Sequence, residues 1–273
     1  MALYIQTNVS SLMAQSNLSK TQNALQTSFQ RLSSGFRINS AADDAAGLGI
    51  SDSMTAQIRS YAVAERNAMD GISMSQTADG ASSQVGAMLA RMRELAMQAR
   101  NGSYTATDRG NLDVEFQQLT AEIDRMAQSV SFNGTALLNG TTTVSFQVGI
   151  GTTAADQVSV TFGGLTSSTL GVAGTDVTSA VNAGTAITAI DTAIATVSTK
   201  RATFGAAMNR LQTTVQNIQS MKNNLSAANS RIRDVDVAEE SSQMSRTQVL
   251  AQAGAAVLSQ ANQAPQLALS LLK

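Results

Sequence analysis

The residues best able to do chemistry in this chain are the adjacent acids Asp43 and Asp44, set in the small-residue run SAADDAAGLG. Neighbouring carboxylates can share acid–base work or hold a metal, but each task needs partners. The chain has no His and no Cys, so it offers no imidazole base, no thiol nucleophile and no Cys/His zinc site. With no base or nucleophile to work against, the two acids read as solvated or helix-capping carboxylates. No catalytic, cofactor-binding or metal-binding set is assigned, and the chain is read as a structural or interaction protein rather than an enzyme.

Charge and composition support that class. Eighteen basic and nineteen acidic side chains give a net charge of −1, too little positive charge for a phosphate-neutralising nucleic-acid binder. The hydrophobic fraction is 43%, much of it Ala, while aromatics make up 4%. Ala favours helices that approach closely. The opening MALYIQTNVSS has only a short apolar run and no basic residue before Lys20, so no cleaved leader is read. No stretch approaches the roughly 18 apolar residues of a membrane span, and no membrane partner is expected.

Elements that could position a working surface come from periodicity. Residues 1 to about 130 and 181 to 273 have helical patterns, separated by a Gly-, Thr-, Ser- and Val-rich zone. In the return segment, Ile187, Ile190, Ile194, Val197, Arg201, Phe204, Met208, Leu211, Val215, Ile218, Lys222, Leu225, Asn229 and Ile232 keep strict 3,4 spacing. Eleven of these fourteen positions are apolar, which predicts one long helix in a left-handed coiled coil. Arg201, Lys222 and Asn229 break the stripe and read as snorkelling or register-setting positions.

The outbound partners are Met74, Ala78, Ala81, Val85, Met88, Met92, Leu95 and Ala99, stopped near Asn101-Gly102, and then Leu112, Phe116, Leu119, Ile123, Met126 and Val130. Thr105 with Asp108 three residues on marks a helix start. Three such helices make a rod-like bundle. Val144, Phe146, Val148 and Ile150 alternate, as do Val158, Val160 and Phe162, which is strand spacing. These strands are expected to cap the distal end of the bundle. Residues 131–199 hold three acids and no base, so this zone is expected to be a solvated tip. The fold class is therefore mainly α: a long coiled-coil-like bundle from the N- and C-terminal segments, with a small β-hairpin-containing middle region at its distal end.

At the two ends the pattern exceeds what one partner can cover. Leu18, Leu25 and Leu32 step by seven with Phe29 beside them. Leu250, Val257, Ala264 and Leu271 also step by seven, interleaved with Gly254, Ala261 and Ala268, and further Leu residues spread round the helix. A helix apolar on more than one side needs more than one partner. Pairing the two ends with each other leaves the ordering cost of both poorly offset. The ends are therefore expected to lack fixed structure in an isolated chain and to become helical in an assembly of copies. Pro265 is expected to kink the last helix.

Several of these segments resemble the bacterial flagellin family. QRLSSGFRINSAADDAAGLGIS (Gln30–Ser51), Asp70-Gly71-Ile72-Ser73, RMRELAMQARNGSYTATDR (Arg91–Arg109), SFNGTALLNG (Ser131–Gly140) and the ending VLAQAGAAVLSQANQAPQLALSLLK occur in the family's order. The resemblance covers roughly residues 1–140 and 176–273, and the middle is too short for extra outer domains.

The resemblance implies a structural subunit of the flagellar filament, a motility propeller. It would be exported by the flagellar type III pathway and located outside the cell. It divides the chain into residues 1–43, the N-terminal inner (D0) helix and the start of a linker; 44–180, the N-terminal outer (D1) helices and middle region; 181–232, the long C-terminal D1 helix; and 233–273, the C-terminal D0 helix. Inner-tube assembly falls to Leu18, Leu25, Phe29, Leu32, Leu250, Gly254, Val257, Ala261, Ala264, Ala268 and Leu271. The D1 core falls to Met88, Met92, Leu112, Phe116, Leu119, Ile123, Ile190, Ile194, Val197, Phe204, Leu211, Val215 and Ile218.

Implied partners are further copies of the chain in a helical homopolymer, an export chaperone on the C-terminal helix, filament-cap and hook-junction proteins, and a vertebrate Toll-like receptor contacting Arg91, Leu95 and Glu115. A flagellin-like hook–filament junction protein is the alternative function. An inserted enzyme is disfavoured by the short, His- and Cys-free middle.

Overall fold

The computed structural model describes residues 7–270, and side chains as far as Gln263. In chain order the elements are α1 (Val9–Ser34), α2 (Ala45–Arg100), α3 (Ala106–Ser129), β1 (Ser131–Phe132), β2 (Thr135–Ala136), β3 (Thr142–Gln147), β4 (Gln157–Phe162), the single turn α4 (Ser167–Leu170), α5 (Ala180–Arg233) and α6 (Val237–Ser270). They form two compact units, one from residues 1–56 and 224–273, the other from 57–223. The helices α2 and α5 run through both. Pro265 lies within the bounds of α6 and does not end it.

The central unit, 57–223, is built on α2, α3 and α5. The turn from α2 to α3 is fixed by its own sequence. Arg109 donates from Nε to the Ala99 carbonyl at 2.7 Å and from Nη2 to that of Asn101 at 3.1 Å, satisfying carbonyls at the end of α2. Thr105 and Asp108 form a full capping box: the Asp108 N–H donates to Thr105 Oγ1, and the Thr105 N–H donates to Asp108 Oδ2.

The three stripes then meet. Met74, Ala78, Val85, Met92, Leu95 and Ala99 of α2, Phe116 and Ile123 of α3, and Ile187, Ile190, Val197, Phe204, Leu211, Val215 and Ile218 of α5 are buried. Met88, Leu112, Leu119, Met126 and Ile194 are half-buried against them. A second stripe of α2, Ser75, Ser82, Leu89 and Ala96, is buried as well. Its hydroxyls donate to the carbonyls four residues back, Ser75 to Gly71 at 2.8 Å and Ser82 to Ala78 at 2.6 Å, so small polar side chains sit inside without an orphaned group.

Polar breaks in the α5 stripe each have a partner on α2. Arg201 Nε meets Asp79 Oδ1 at 2.8 Å, and Lys222 Nζ meets Glu65 Oε2 at 2.6 Å. Asn229, in the terminal unit, accepts from Ser51 Oγ at 2.7 Å. Arg93 and Asp191 add a fourth tie at 2.6 Å. A one-heptad slip would separate every pair, so these ties fix the antiparallel register. By length and composition alone, α5 also qualifies as a membrane-crossing helix, contrary to the expectation that no stretch approaches one. Its apolar stripe is instead covered within the bundle.

The strand zone corrects two expectations. β3 and β4 pair antiparallel, with Thr142 opposite Phe162 and Gln147 opposite Gln157. They do not cap the distal end. Asn67 Nδ2 donates to the Gln147 carbonyl at 3.0 Å, and a Cβ on Gly71 would stand 3.1 Å from the Phe146 ring and 3.0 Å from Leu211 Cδ1. From Asn67 to the end of α2 is about 50 Å of helix. The hairpin therefore covers the flank of α2 and α5 that α3 is too short to reach. Gly71 is small because strand and helix close over it.

Nor is the zone a solvated tip. Leu137, Leu138, Val158, Val160, Phe162, Leu165, Leu170, Val172 and Val177 all join the core, and Phe162 stacks on Phe204 with ring centroids 5.7 Å apart. Its outer face is where polarity lies: Thr143 pairs with Thr161 and Ser145 with Ser159, hydroxyl to hydroxyl. Residues 163–179 then return along α3. Asp124 accepts from the Ser167 N–H and Oγ, both at 2.7 Å, and Asp113 accepts from the Val177 N–H at 2.9 Å.

Phe204→Ala is expected to destabilise the central unit by about 3–5 kcal/mol, the usual range for emptying a fully buried phenylalanine site. Urea unfolding followed by circular dichroism checks it, with Val181→Ala on an exposed position as the near-neutral comparison.

Glu65 gives a pH prediction. Its hydrogen bonds from Lys222 and then Gln219 hold its carboxyl below the ordinary value. A carboxylate with a lower pKa folded than unfolded stabilises above the unfolded value, about 4.3. That stabilisation is lost as pH falls through the folded value. Glu65→Gln is expected to cost about 1–2 kcal/mol at pH 7, the scale of a charge-assisted hydrogen bond, and less at pH 3, where part of that stabilisation is already lost. Urea titrations at both pH values read the difference.

Candidate assembly surface

The terminal unit is a pair, α1 against α6. Asn8 caps α1, accepting from the Ser11 N–H at 3.1 Å, and its Nδ2 donates across the pair to the Ala261 carbonyl at 2.7 Å. Ser11 Oγ donates to Asn262 Oδ1 at 2.6 Å. At the other end Gly35 closes α1 with φ 76°, where its N–H reaches the Arg31 carbonyl. Arg31 lies 3.6 Å from Glu240 of α6.

Between these ends the inward stripe of α1 is Ser11, Ala14, Leu18, Thr21, Leu25, Ser28 and Leu32. That of α6 is Glu240, Met244, Thr247, Ala251, Gly254, Leu258 and Ala261. Both keep the 3,4 step. A Cβ on Gly254 would stand 3.4 Å from Leu18 Cδ1, so the glycine sets how closely the helices approach.

The residues singled out from the sequence fall on two different faces. Leu18, Leu25, Leu32, Gly254 and Ala261 are half-buried along the seam. Phe29, Leu250 and Val257 point away from it and are 66%, 52% and 59% exposed. Ala264, Ala268 and Leu271 lie outside the residues whose side chains are described. Sequence reasoning passed over Val9, Leu12 and Met13 on α1 and Val249 on α6, which are also exposed. The signal for them was present: they are the apolar positions left over once the seam stripe is assigned.

The neck joining this pair to the long helices is held mainly by backbone. Phe36 and Asp234 form an antiparallel bridge, with Arg37 N–H to the Arg233 carbonyl at 2.7 Å and Val235 N–H to that of Gly35 at 3.0 Å. Arg233 lies over the Phe36 ring at 4.6 Å, a cation–π contact, and reaches Asp52 at 3.5 Å.

The two acids of the opening motif cap backbone here. Asp43 accepts from the Ser40 N–H and Oγ and the Asn39 N–H, at 2.9, 3.0 and 3.1 Å, and these bonds lower its pKa. Asp44 accepts from the Gly47 N–H at 2.9 Å in the first turn of α2. Asp236 does the same for α6, accepting from the Ala238 and Glu239 N–H groups. Among the described residues, no three His, Cys, Asp or Glu side chains come together as a metal-ligand set.

Burial divides the two units sharply. Among the described residues, Ile38 is the one buried apolar side chain of the terminal unit; the rest are in the central one. Yet ten large apolar side chains left exposed are in the terminal unit, among them Val9, Leu12, Met13, Phe29, Val249, Leu250 and Val257. So small a core beside so much exposed apolar surface is the pattern that marks interaction sites.

In the central unit, Arg91 bridges helices: Nε to Glu115 at 2.8 Å and Nη1 to Glu94 at 3.0 Å. The Glu115 bond and then the Glu94 bond raise the Arg91 pKa. All three side chains are exposed. Leu95 is not: it is 1% exposed and belongs to the core, so it is corrected out of the surface set expected with Arg91 and Glu115.

Comparison with known proteins gives the family. The family described as the bacterial flagellin N-terminal helical region matches residues 5–143, and that described as the bacterial flagellin C-terminal helical region matches residues 187–272. The chain is 44% identical to a flagellin of Halalkalibacterium halodurans, over 99% of this chain and 100% of that one. It is 41% identical to the flagellar filament 33 kDa core protein of Treponema phagedenis, over 99% and 100%. Among solved structures, the crystal structure of Bacillus cereus flagellin aligns with TM-score 0.50 at 35% identity, covering 60% of this chain and 94% of that one. The chain belongs to the bacterial flagellin family, whose members are structural subunits of the flagellar filament and not enzymes.

Proposed function

We propose that this chain builds the filament by burying the outward faces of α1 and α6 against further copies of itself. One observation carries the reading: among its described residues, the terminal unit buries a single apolar side chain, Ile38, while it exposes ten large ones. Side chains such as Phe29, Leu250 and Val257 are about half exposed, so neighbours have roughly half of the ~1.5–3 kcal/mol of full burial still to gain at each. Spread over several contacts, that suffices to drive association once the first copies are in place. A contact between two unlike faces repeats without closing and gives an open helical polymer.

In this proposal residues 1–43 and 233–273 form the inner layer, and 44–180 with 181–232 form the outer one. The outward faces of α1 and α6 stay uncovered until neighbours meet them, and the chain reaches the outside of the cell through an export channel before it assembles. Before export, the uncharged apolar face of α6 is a helix-in-groove ligand for a chaperone. Cap and hook-junction proteins meet the same terminal faces at the two ends of the polymer. The exposed Arg91–Glu115 pair, with Leu95 packed beneath it, is the polar patch for a receptor of the Toll-like class.

Gly254→Leu is expected to push α6 off Leu18 and raise the critical concentration for seeded elongation at least tenfold, about 1.4 kcal/mol per added copy. The urea transition of the central unit is expected to stay unchanged. Deleting residues 1–34 is expected to leave a monomer with that same transition. Light scattering and electron microscopy of seeded samples check both; normal filaments from either variant would overturn the proposal.

A further inference from the structure

We propose that Phe29 of one copy seats in a notch on α6 of a second copy displaced along the terminal pair. The inference rests on the filament reading and names two surfaces that meet. Phe29 stands out from α1 beside Leu25, among the amides of Gln22, Gln26 and Gln30, with no charged side chain lining the surface around it. Its seat must be mostly apolar and free of carboxylates, because a carboxylate trapped against the negative face of an aromatic ring would lose its water without a partner.

A notch of about 450 Å³ on α6, lined by Ala256, Val257, Gln260 and Ala261, is mostly apolar and carries no charge, with the Gln260 amide as its one polar side chain. These positions are i, i+1, i+4 and i+5, the corners of the gap between adjacent ridges that a side chain from a packed helix fills. From Thr247 to Leu272 the chain carries no charged residue, so covering the notch strands no charge.

Within one chain the two cannot meet. Asn8 bonds to Ala261, Leu18 lies against Gly254, and Arg31 pairs with Glu240, which fixes the register of the pair. Phe29 is therefore level with Ser242. The notch begins some 14 residues farther along α6 and is centred about 16 residues away, or about 24 Å at 1.5 Å per residue. A second copy shifted by about that distance along the helix axis brings its notch level with Phe29. The same step then places a third copy on the second. The contact joins unlike faces, so it propagates instead of closing.

The chain has no native cysteine, which makes the test clean. Filaments grown from unaltered seeds with an equal mixture of Phe29→Cys and Gln260→Cys chains, then oxidised, are expected to give at least tenfold more covalent dimer than filaments containing either variant alone. Electron microscopy of the same samples separates the outcomes. Filaments without the dimer overturn the seating and leave the filament reading intact; no filaments even from unaltered chain overturn the filament reading.

A second measurement does not depend on cysteine. Ala256→Leu fills the notch and is expected to raise the critical concentration at least tenfold. Ala255→Leu, on the same uncharged stretch but on the side of α6 turned away from the notch, is expected to change it less than twofold. Equal effects overturn the seating.

Discussion

A straight helix can turn one stripe toward one neighbour, and α1 and α6 each carry apolar residues on more than one stripe. Their mutual seam takes Leu18, Leu25, Leu32, Gly254 and Leu258. Phe29, Leu250 and Val257 lie off that seam, and no adjustment of the pair could bring them in without expelling the others. This geometric excess is what separates the terminal unit from the central one. It also explains why the polar contacts across the pair are few and sit near its ends, at Asn8, Ser11 and Arg31. The long middle is left to small and apolar side chains.

The central unit solves the same problem internally. α2 is also buried on two stripes, but the second is lined by Ser75 and Ser82 as well as Leu89 and Ala96. Their hydroxyls return to the helix's own carbonyls, so the helix accepts two neighbours with no polar group unsatisfied. Where α3 ends, the strand zone continues the third wall, with Gly71 allowing Phe146 to close over α2. That unit covers both stripes of α2 within one chain.

The heptad steps made the helices legible, and alternation made β3 and β4 legible, because both periods follow from backbone geometry. Period says which residues share a face but not what covers that face. For that reason the strands were expected at the distal end, whereas Asn67 and Gly71 place them on the flank. The acid count of the same zone suggested exposure, but ten or so apolar residues hidden among Gly and Thr outweigh three carboxylates. Leu95 shows a related limit. Four residues from Arg91 on one helix, it shares a side with it in projection, yet the arginine's long stem reaches solvent while the leucine is held in the core. Leu250 and Val257 step by seven as seam residues would; only the cross-pair bonds of Asn8 and the approach of Leu18 to Gly254 assign the seam to the neighbouring stripe.

The polar breaks in α5 complete the physical contrast. Arg201, Lys222 and Asn229 occupy positions where leucine would add burial; the first two are each tied to one partner on α2 and Asn229 to two, Ser51 and Thr55. A uniform apolar seam over so many heptads would permit slips by seven residues at small cost, since every slip restores the same pattern. Charged or amide pairs at fixed positions make each slip strand buried or half-buried polar groups. α6 has no such ties between Thr247 and Ala261 except through small side chains and one glycine. Its register is specified at the ends and left to contact shape in between. A surface specified by shape alone is selective only when a complementary shape is pressed against it, which is the condition that a neighbouring copy supplies and a solitary chain does not.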